Sequence, residues 1–207
     1  LTVVTASGYR LDVGPEEAPI PAPPTGVEAP GAPGLATADL RLEHEIILRA
    51  LVVLERAGRR WIDRKRVDEA VLKDLVALLR RFAEQCHHAK EESHLFPAMK
   101  AKGIAAEGEI GQLLAVHSEE HDYLSTLSGY ASEVERAAAA LLCVRVMRQH
   151  IESENTVIFP AADRLFTPDE QAALARSYRE LEVSGFGARF REVVLTQLDR
   201  IERRLPS

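Results

Sequence analysis

The sequence predicts an all-α fold: an up-down-up-down four-helix bundle, with an N-terminal Pro-rich arm before it and additional C-terminal helices after it. Three observations carry that expectation. Proline is absent from Gly34 to Phe96, and apolar residues recur there at helical spacing. Four histidines have a His or a Glu four residues on: His87/Glu91, His88/Glu92, His117/His121 and His150/Glu154. The segment His87–Pro97 has a partial copy 63 residues later, His150–Pro160. Each opens with His, carries Glu four residues on, and closes with Phe-Pro-Ala.

Residues 1–13 hold β-branched residues around Ser7-Gly8 and read either as a short hairpin or as an extended arm. Residues 14–34 hold seven of the eleven prolines and four glycines, which makes them an arm or linker rather than a helix. The arm is placed at 1–36, the bundle at 37–166 and the C-terminal helices, packed on the bundle, at 167–207. A first helix is expected over Thr37–Trp61, with Thr37 as N-cap and Leu40, Ile47, Leu51 and Leu54 on one stripe. A charged turn over Ile62–Val67 leads to a second helix, Asp68–Phe96, ended by Pro97 and Lys100–Gly103. The third helix is expected over Glu107–Ala131 and the fourth over Ala137–Leu165. Thr167-Pro168-Asp169-Glu170 is a capping box that starts a further helix, ending near Ser184-Gly185; Phe186–Arg204 reads as a last amphipathic helix.

Composition narrows the classes. A chain of 207 residues with 46% hydrophobic content can bury one core. Net charge is −6 with no dense basic cluster, which argues against nucleic acid as partner. Cys86 and Cys143 lack metal or disulfide spacing, so a cytoplasmic, reducing setting is expected. No apolar run reaches 18 residues, and the N-terminus lacks a signal-peptide pattern, so no membrane contact is expected.

Asp, Glu and His fill 39 of 207 positions. By chance about 1.3 of the seven histidines would show the four-residue pairing on that template count. On a helix such a pair lies on one face, about 5–6 Å apart at Cβ, so both side chains reach one ion or two adjacent ions. A geometric test is stronger. In an antiparallel bundle, ligands at one height lie equally far from the turn joining their helices. The midpoint between His44 and His87/Glu91 falls near 66, in the charged turn; between His87/Glu91 and His117/His121 it falls at 104, beside Gly103; between His117/His121 and His150/Glu154 it falls near 135, just after Gly129–Ser132. His44, His87, Glu91, His117, His121, His150 and Glu154 are therefore expected to share one layer. The repeat selects His87/Glu91 over His88/Glu92, leaving His88, Glu92 and His94 as neighbours. Cys86, Tyr123 and Tyr130 are read as packing residues.

Five imidazoles and two carboxylates suit two metal ions. With both carboxylates bridging, the imidazoles divide three and two. A bridging oxo or hydroxo group would then leave one ion six-coordinate and the other five-coordinate, with a position open to a small molecule. The oxygen-rich, uneven set favours iron over a tetrahedral structural zinc.

At these residues the chain resembles the hemerythrin-like, or HHE cation-binding, family over roughly residues 37–166. His44, then His87 with Glu91, then His117 with His121, then His150 with Glu154 fill that family's pattern in order, and Leu95-Phe96-Pro97 and Ile158-Phe159-Pro160 resemble its closures. The resemblance implies a non-haem di-iron centre. The His150-x-x-x-Glu154 spacing is similar to bacterial relatives rather than to marine hemerythrins, whose last pair is one residue longer. A related subgroup that handles nitric oxide has a single His ligand on the third helix, whereas this sequence offers two. Glu84-x-x-His87 also matches ferritin-like spacing, but the fourth helix has no counterpart.

The expected cofactor is two Fe ions, and the expected partner is O₂ or another small diatomic molecule or peroxide, bound, stored or sensed by a monomer or homodimer. Ile47, Leu48, Leu113, Leu124, Val146, Met147, Val157 and Ile158 are expected to line an apolar pocket that keeps water and protons from bound O₂. The alternatives are a di-iron enzyme acting on peroxide or nitric oxide, and iron handling or storage.

Overall fold

Residues 2–4, 10–12, 34–104 and 108–205 are described by the computed structural model. They divide into two units, Leu1–Ala32 and Pro33–Ser207. In the first, β1 (Thr2–Val4) runs antiparallel to β2 (Arg10–Asp12), with Val3 opposite Leu11. The Pro-rich stretch 14–33 lies outside the described residues.

In the second unit every described element is helical. The first helix, α1 (Leu35–Ile62), starts two residues before the sequence expectation. Gly34, not Thr37, is its N-cap. The free backbone donors there are met from across the fold: Gly34 N–H donates to Asp163 Oδ1 at 3.0 Å and Ala36 N–H to Gln171 Oε1 at 3.2 Å. A Cβ on Gly34 would meet the end of the Gln171 side chain, which would have to swing away from its bond to Ala36 N–H. The next helix, α2 (Glu69–Leu79), is capped by the Asp68 carboxylate, which accepts from Ala70 N–H.

The chain then stays helical as π-helical segments Arg80–His88 and Glu91–Leu95 and as α3 (Phe96–Ala101). Pro97 therefore does not end the helix as expected. It lies in the first turn of α3, just after a wide turn that leaves backbone donors outside the α-helical ladder, where its missing N–H costs little. Next come α4 (Glu109–Ser128) and α5 (Glu133–Ser153). The latter starts four residues earlier than expected because Ser132 and Glu135 form a capping box. A third π-helical segment, Glu154–Ile158, leads into α6 (Phe159–Leu165), and Pro160 again follows the wide turn. Thr167 and Glu170 cap α7 (Pro168–Phe186) as the sequence indicates, and α8 (Phe190–Arg204) follows.

Packing follows from the apolar stripes. The broadest contact is between α1 and α5; α4 lies against α5, and α2 with its π continuation lies against α1 and α4. The C-terminal helices add to this, α7 on α1 and α8 on α2 and α1. Leu40, Leu51 and Leu54 are fully buried, each stabilising the fold by about 1.5–3 kcal/mol. Among the described residues no helix is long and apolar enough to cross a membrane.

The core is two apolar clusters. One holds Leu40, Leu95, Phe96, Leu113, Ile158 and Phe159. The other holds Ile47, Leu51, Phe82, Cys86, Leu124, Met147 and Ile151. The stretches α1, α2 to α3, α4 and α5 to α6 each pass from one to the other, and polar residues lie between: His44 on α1, His87, His88 and Glu91 on the π segments, His117 and Glu120 on α4, His150 and Glu154 at the end of α5.

Candidate metal centre

That polar layer is buried. His44, Glu91, Glu120 and Glu154 have no exposed surface; His87, His88 and His150 have 3% or less and His117 7%. Two groups of ligand atoms lie within 4.8 Å of one another: His88, Glu91, His117 and His150, and His44, His87, Glu91 and Glu154. Glu91 belongs to both. Its Oε1 lies 3.6 Å from His87 Nε2 and its Oε2 3.6 Å from His117 Nε2, one oxygen toward each group. Glu154 Oε2 lies 3.2 Å from both His44 Nε2 and His150 Nε2. The five imidazoles divide three and two.

The wide turns explain this arrangement. In a π-helix each residue turns the chain through less than the ~100° of an α-helix. Neighbouring His87 and His88 therefore both reach inward, with ring centroids 5.5 Å apart. His88 stacks on His117 with centroids 3.7 Å apart. The same widening at Glu154–Ile158 brings Ile158 back under Glu154 and leaves Val157 outside. Val157, expected to line the pocket, is 44% exposed.

His121 is likewise not brought to the centre. Its side chain is 63% exposed and pairs with Glu84. The buried stripe of α4 is Ile110, Leu113, His117, Glu120, Leu124 and Leu127, stepping alternately by three and four. The step after His117 is three, so Glu120 turns inward and His121 turns out. Of the other expected lining residues, Ile47, Leu113, Leu124, Met147 and Ile158 are buried, and Leu48 and Val146 are half-buried. Tyr130 is exposed rather than packed, while Tyr123 is half-buried against the core.

Each inward imidazole presents Nε2; on four of the five an oxygen lies near Nδ1, while His150 Nδ1 is buried without a hydrogen-bond partner. His44 Nδ1–H donates to Asn155 Oδ1 at 3.1 Å, and that amide is oriented by Arg41. His87 Nδ1–H donates to Glu43 Oε2 at 3.0 Å, and His117 Nδ1–H to Glu92 Oε1 at 2.6 Å. His88 Nδ1 lies 3.5 Å from Glu120 Oε2. Such partners fix the tautomer that leaves the Nε2 lone pair free for a metal. Most inner atoms have no hydrogen-bond partner: His44, His87 and His88 Nε2 and all four oxygens of Glu91 and Glu154 are buried without one, while His117 Nε2 and His150 Nε2 lie 3.2 Å from each other. Buried groups of this kind are costly unless something binds them.

The electrostatics agree. Burial lowers His87 to about 4 and His88 well below its ordinary range, so both are neutral and able to coordinate. Burial, together with the Glu154 charge, pushes Glu91 well above the ordinary carboxylate range. Two carboxylates and five imidazoles facing one small volume are a donor set for cations.

A third group, Glu43, Cys86 and Glu182, is different. Its carboxylates already hold cations. Fully buried Lys90 bonds Glu43 and, at 2.9 Å, Glu182; Arg191 Nη2 donates to Glu43 Oε1 at 2.8 Å and Nη1 to Asp39 Oδ1 at 3.0 Å. Burial would raise Glu43, but the His87 hydrogen bond and the Lys90 charge bring it down to about 2. This ion network supports His87 from behind and leaves no room for a metal. The sequence reading missed Glu43, Lys90 and Glu120. Glu120 is findable from the apolar residues on either side of it on α4; nothing local marks Lys90 as buried.

Fold and centre together define a helical-bundle protein whose buried His and Glu clusters could hold metal. The model of the hemerythrin HHE cation binding domain matches residues 35–162, and the chain belongs to that family. It is also 24% identical, over 186 residues, to uncharacterized proteins of Mycobacterium bovis and of two strains of Mycobacterium tuberculosis, covering 84% of this chain and 71% of each relative. No solved structure gives a significant match.

Proposed function

We propose that the protein holds two iron ions and binds O₂ or a related small oxidant at them reversibly. The carrying observation is Glu91, whose two oxygens face one three-imidazole and one two-imidazole set. His88, His117 and His150 would hold one ion and His44 and His87 the other, with Glu91 and Glu154 between them. The alternating order in which α1, α2, α4 and α5 meet the two apolar clusters supports an up-down-up-down course that places all four helices around one layer.

A reduced iron pair supplies the electrons that hold O₂. The chain supplies the rest. His87 and His117 keep their coordinating tautomers through Glu43 and Glu92. Ile47, Leu113, Met147 and Ile158 exclude water on either side of the layer. Phe159 stacks on His44 at 5.3 Å and covers its ring.

A second reading, turnover of peroxide, draws on Glu92. Its side chain is 45% exposed yet bonded to His117, so a proton acceptor in contact with solvent touches a candidate ligand. Metal analysis and optical spectra of the reduced protein with and without O₂ decide between them. Two irons per chain and an adduct that reverses on removing O₂ are expected. One tetrahedral zinc overturns the reading, and rapid irreversible oxidation with consumption of peroxide replaces it by the second.

A further inference from the structure

His121 is paired with His117 by sequence, yet the centre leaves it unused. It leads to an arrangement of its own. His121 Nδ1 lies 3.3 Å from Glu84 Oε1. Glu84 stands one turn before His88 in the π segment, with a side chain 16% exposed. Its Oε1 is buried without a hydrogen-bond partner. Deeper in, Glu120 is fully buried and neither of its oxygens has a hydrogen-bond partner; Oε2 faces His88 Nδ1 at 3.5 Å. The charge of Glu84 acts on Glu120, and both act on the buried thiol of Cys143 on α5. His121, Glu84, Glu120 and His88 thus form a line of donors from solvent to the centre.

Glu43 shows what is missing from that line. Glu43 is equally buried, and the fold gives it Lys90 and Arg191. Among the described residues no Lys or Arg forms an ion pair with Glu84 or Glu120. Arg80, one turn before Glu84, donates instead to Ser125 Oγ at 2.9 Å. Two carboxylates with three buried oxygens that accept no hydrogen bond cost free energy that a mobile cation would remove. Two carboxylates and an imidazole suit a divalent first-row metal. The donors are too spread to be a resident site, since they supply none of the groups of three that close within 4.8 Å among the described residues.

We infer that His121, Glu84 and Glu120 form an entry route by which a divalent cation passes from solvent to the buried centre. The inference rests on the proposed reading of the centre as an iron pair. Its test is the rate of loading. Metal-free protein is mixed with Fe(II) under nitrogen, quenched with a chelator at intervals, and the protein-bound iron counted, for wild type, Glu84→Gln, His121→Ala and the double variant. A mouth lined by one sign of charge raises on-rates at least about tenfold, so the double variant should load about tenfold more slowly. Its final iron content should match wild type and its metal-free melting temperature should not fall below that of wild type, which a merely structural role would not combine with slow loading. Loading at the wild-type rate overturns the route and leaves the iron pair standing. A lower final content in His121→Ala makes His121 a ligand and also overturns the route. A wild-type chain that takes up no iron overturns both.

Discussion

Replacing Lys90 by Met removes an ammonium with no exposed surface that bonds Glu43, lies 2.9 Å from Glu182 and 3.6 Å from Asp39. Met keeps most of the aliphatic length, so the loss is electrostatic. Removing one partner of a buried ion pair costs about 3–5 kcal/mol, because the other charge is left without compensation. Here Arg191 Nη2 remains 2.8 Å from Glu43, which places the expected loss at the lower end, about 3 kcal/mol. For a chain of this size that lowers the melting temperature by about 6–12 °C. The assay is thermal and urea unfolding of the metal-free protein, so that lost metal does not enter the result. Adding Glu43→Gln to Lys90→Met removes the stranded charge and should recover part of the loss, as coupled neighbours do. A loss under about 1 kcal/mol would be that of a solvated surface pair and would refute the picture of a sealed network behind His87.

Three further outcomes are expected. His88→Ala should leave about one tightly held iron per chain, measured by metal analysis after gel filtration, because the set of His88, Glu91, His117 and His150 loses a member while the other set is intact. The contribution of Glu120 to the stability of the metal-free protein should fall as pH rises from about 4.5 toward about 8, opposite in sign to that of the buried His87 and His88. Burial, and then the Glu84 charge, raise Glu120 from 4.5 to about 8, so the folded state holds a proton there that the unfolded state has released. The slope from that group is at most about 1.4 kcal/mol per pH unit, and urea titrations of Glu120→Gln between pH 5 and 8 should show it reduced. Thr167→Ala should cost about 1 kcal/mol by thermal melting, since the Thr167 hydroxyl accepts from Glu170 N–H at the start of α7.

What the sequence reveals here is what helical period and turn position control. The midpoints near 66, 104 and 135 fall in or within a few residues of the breaks between α1 and α2, α3 and α4, and α4 and α5. That equality is enough to place His44, His87, Glu91, His117, His150 and Glu154 at one level. What it hides is rotation about the helix axis. A four-residue pairing rule treats His117/His121 and His87/Glu91 alike, yet the three-four stepping of Ile110, Leu113, Leu124 and Leu127 gives the inward place to Glu120. The π turns are less visible still, because the residues that form them look α-helical one by one. Their trace in the sequence is indirect: Pro97 and Pro160 each stand two residues after a wide turn ends. Those turns bring His88 inward beside His87 and leave Val157 outside.

The two buried carboxylates behind the centre also separate what the family segment contains from what this chain adds. Glu120 and its neighbours lie within residues 35–162. Glu43 lies there too, but two of the groups around it come from outside: Glu182 on α7 holds Lys90, and Arg191, just inside α8, holds Glu43 and Asp39. A helical bundle cut at residue 162 would keep every candidate ligand and lose the guanidinium that helps to hold Glu43 ionised against His87. The C-terminal helices therefore act on His87 through the hydrogen bond that its Nδ1–H donates to Glu43. A carboxylate bonded to the far side of an imidazole makes its coordinating nitrogen more basic. Cations on that carboxylate withdraw part of the effect. The balance between Glu43 on one side and Lys90 with Arg191 on the other is thus a setting for His87 that the ligand residues alone do not specify.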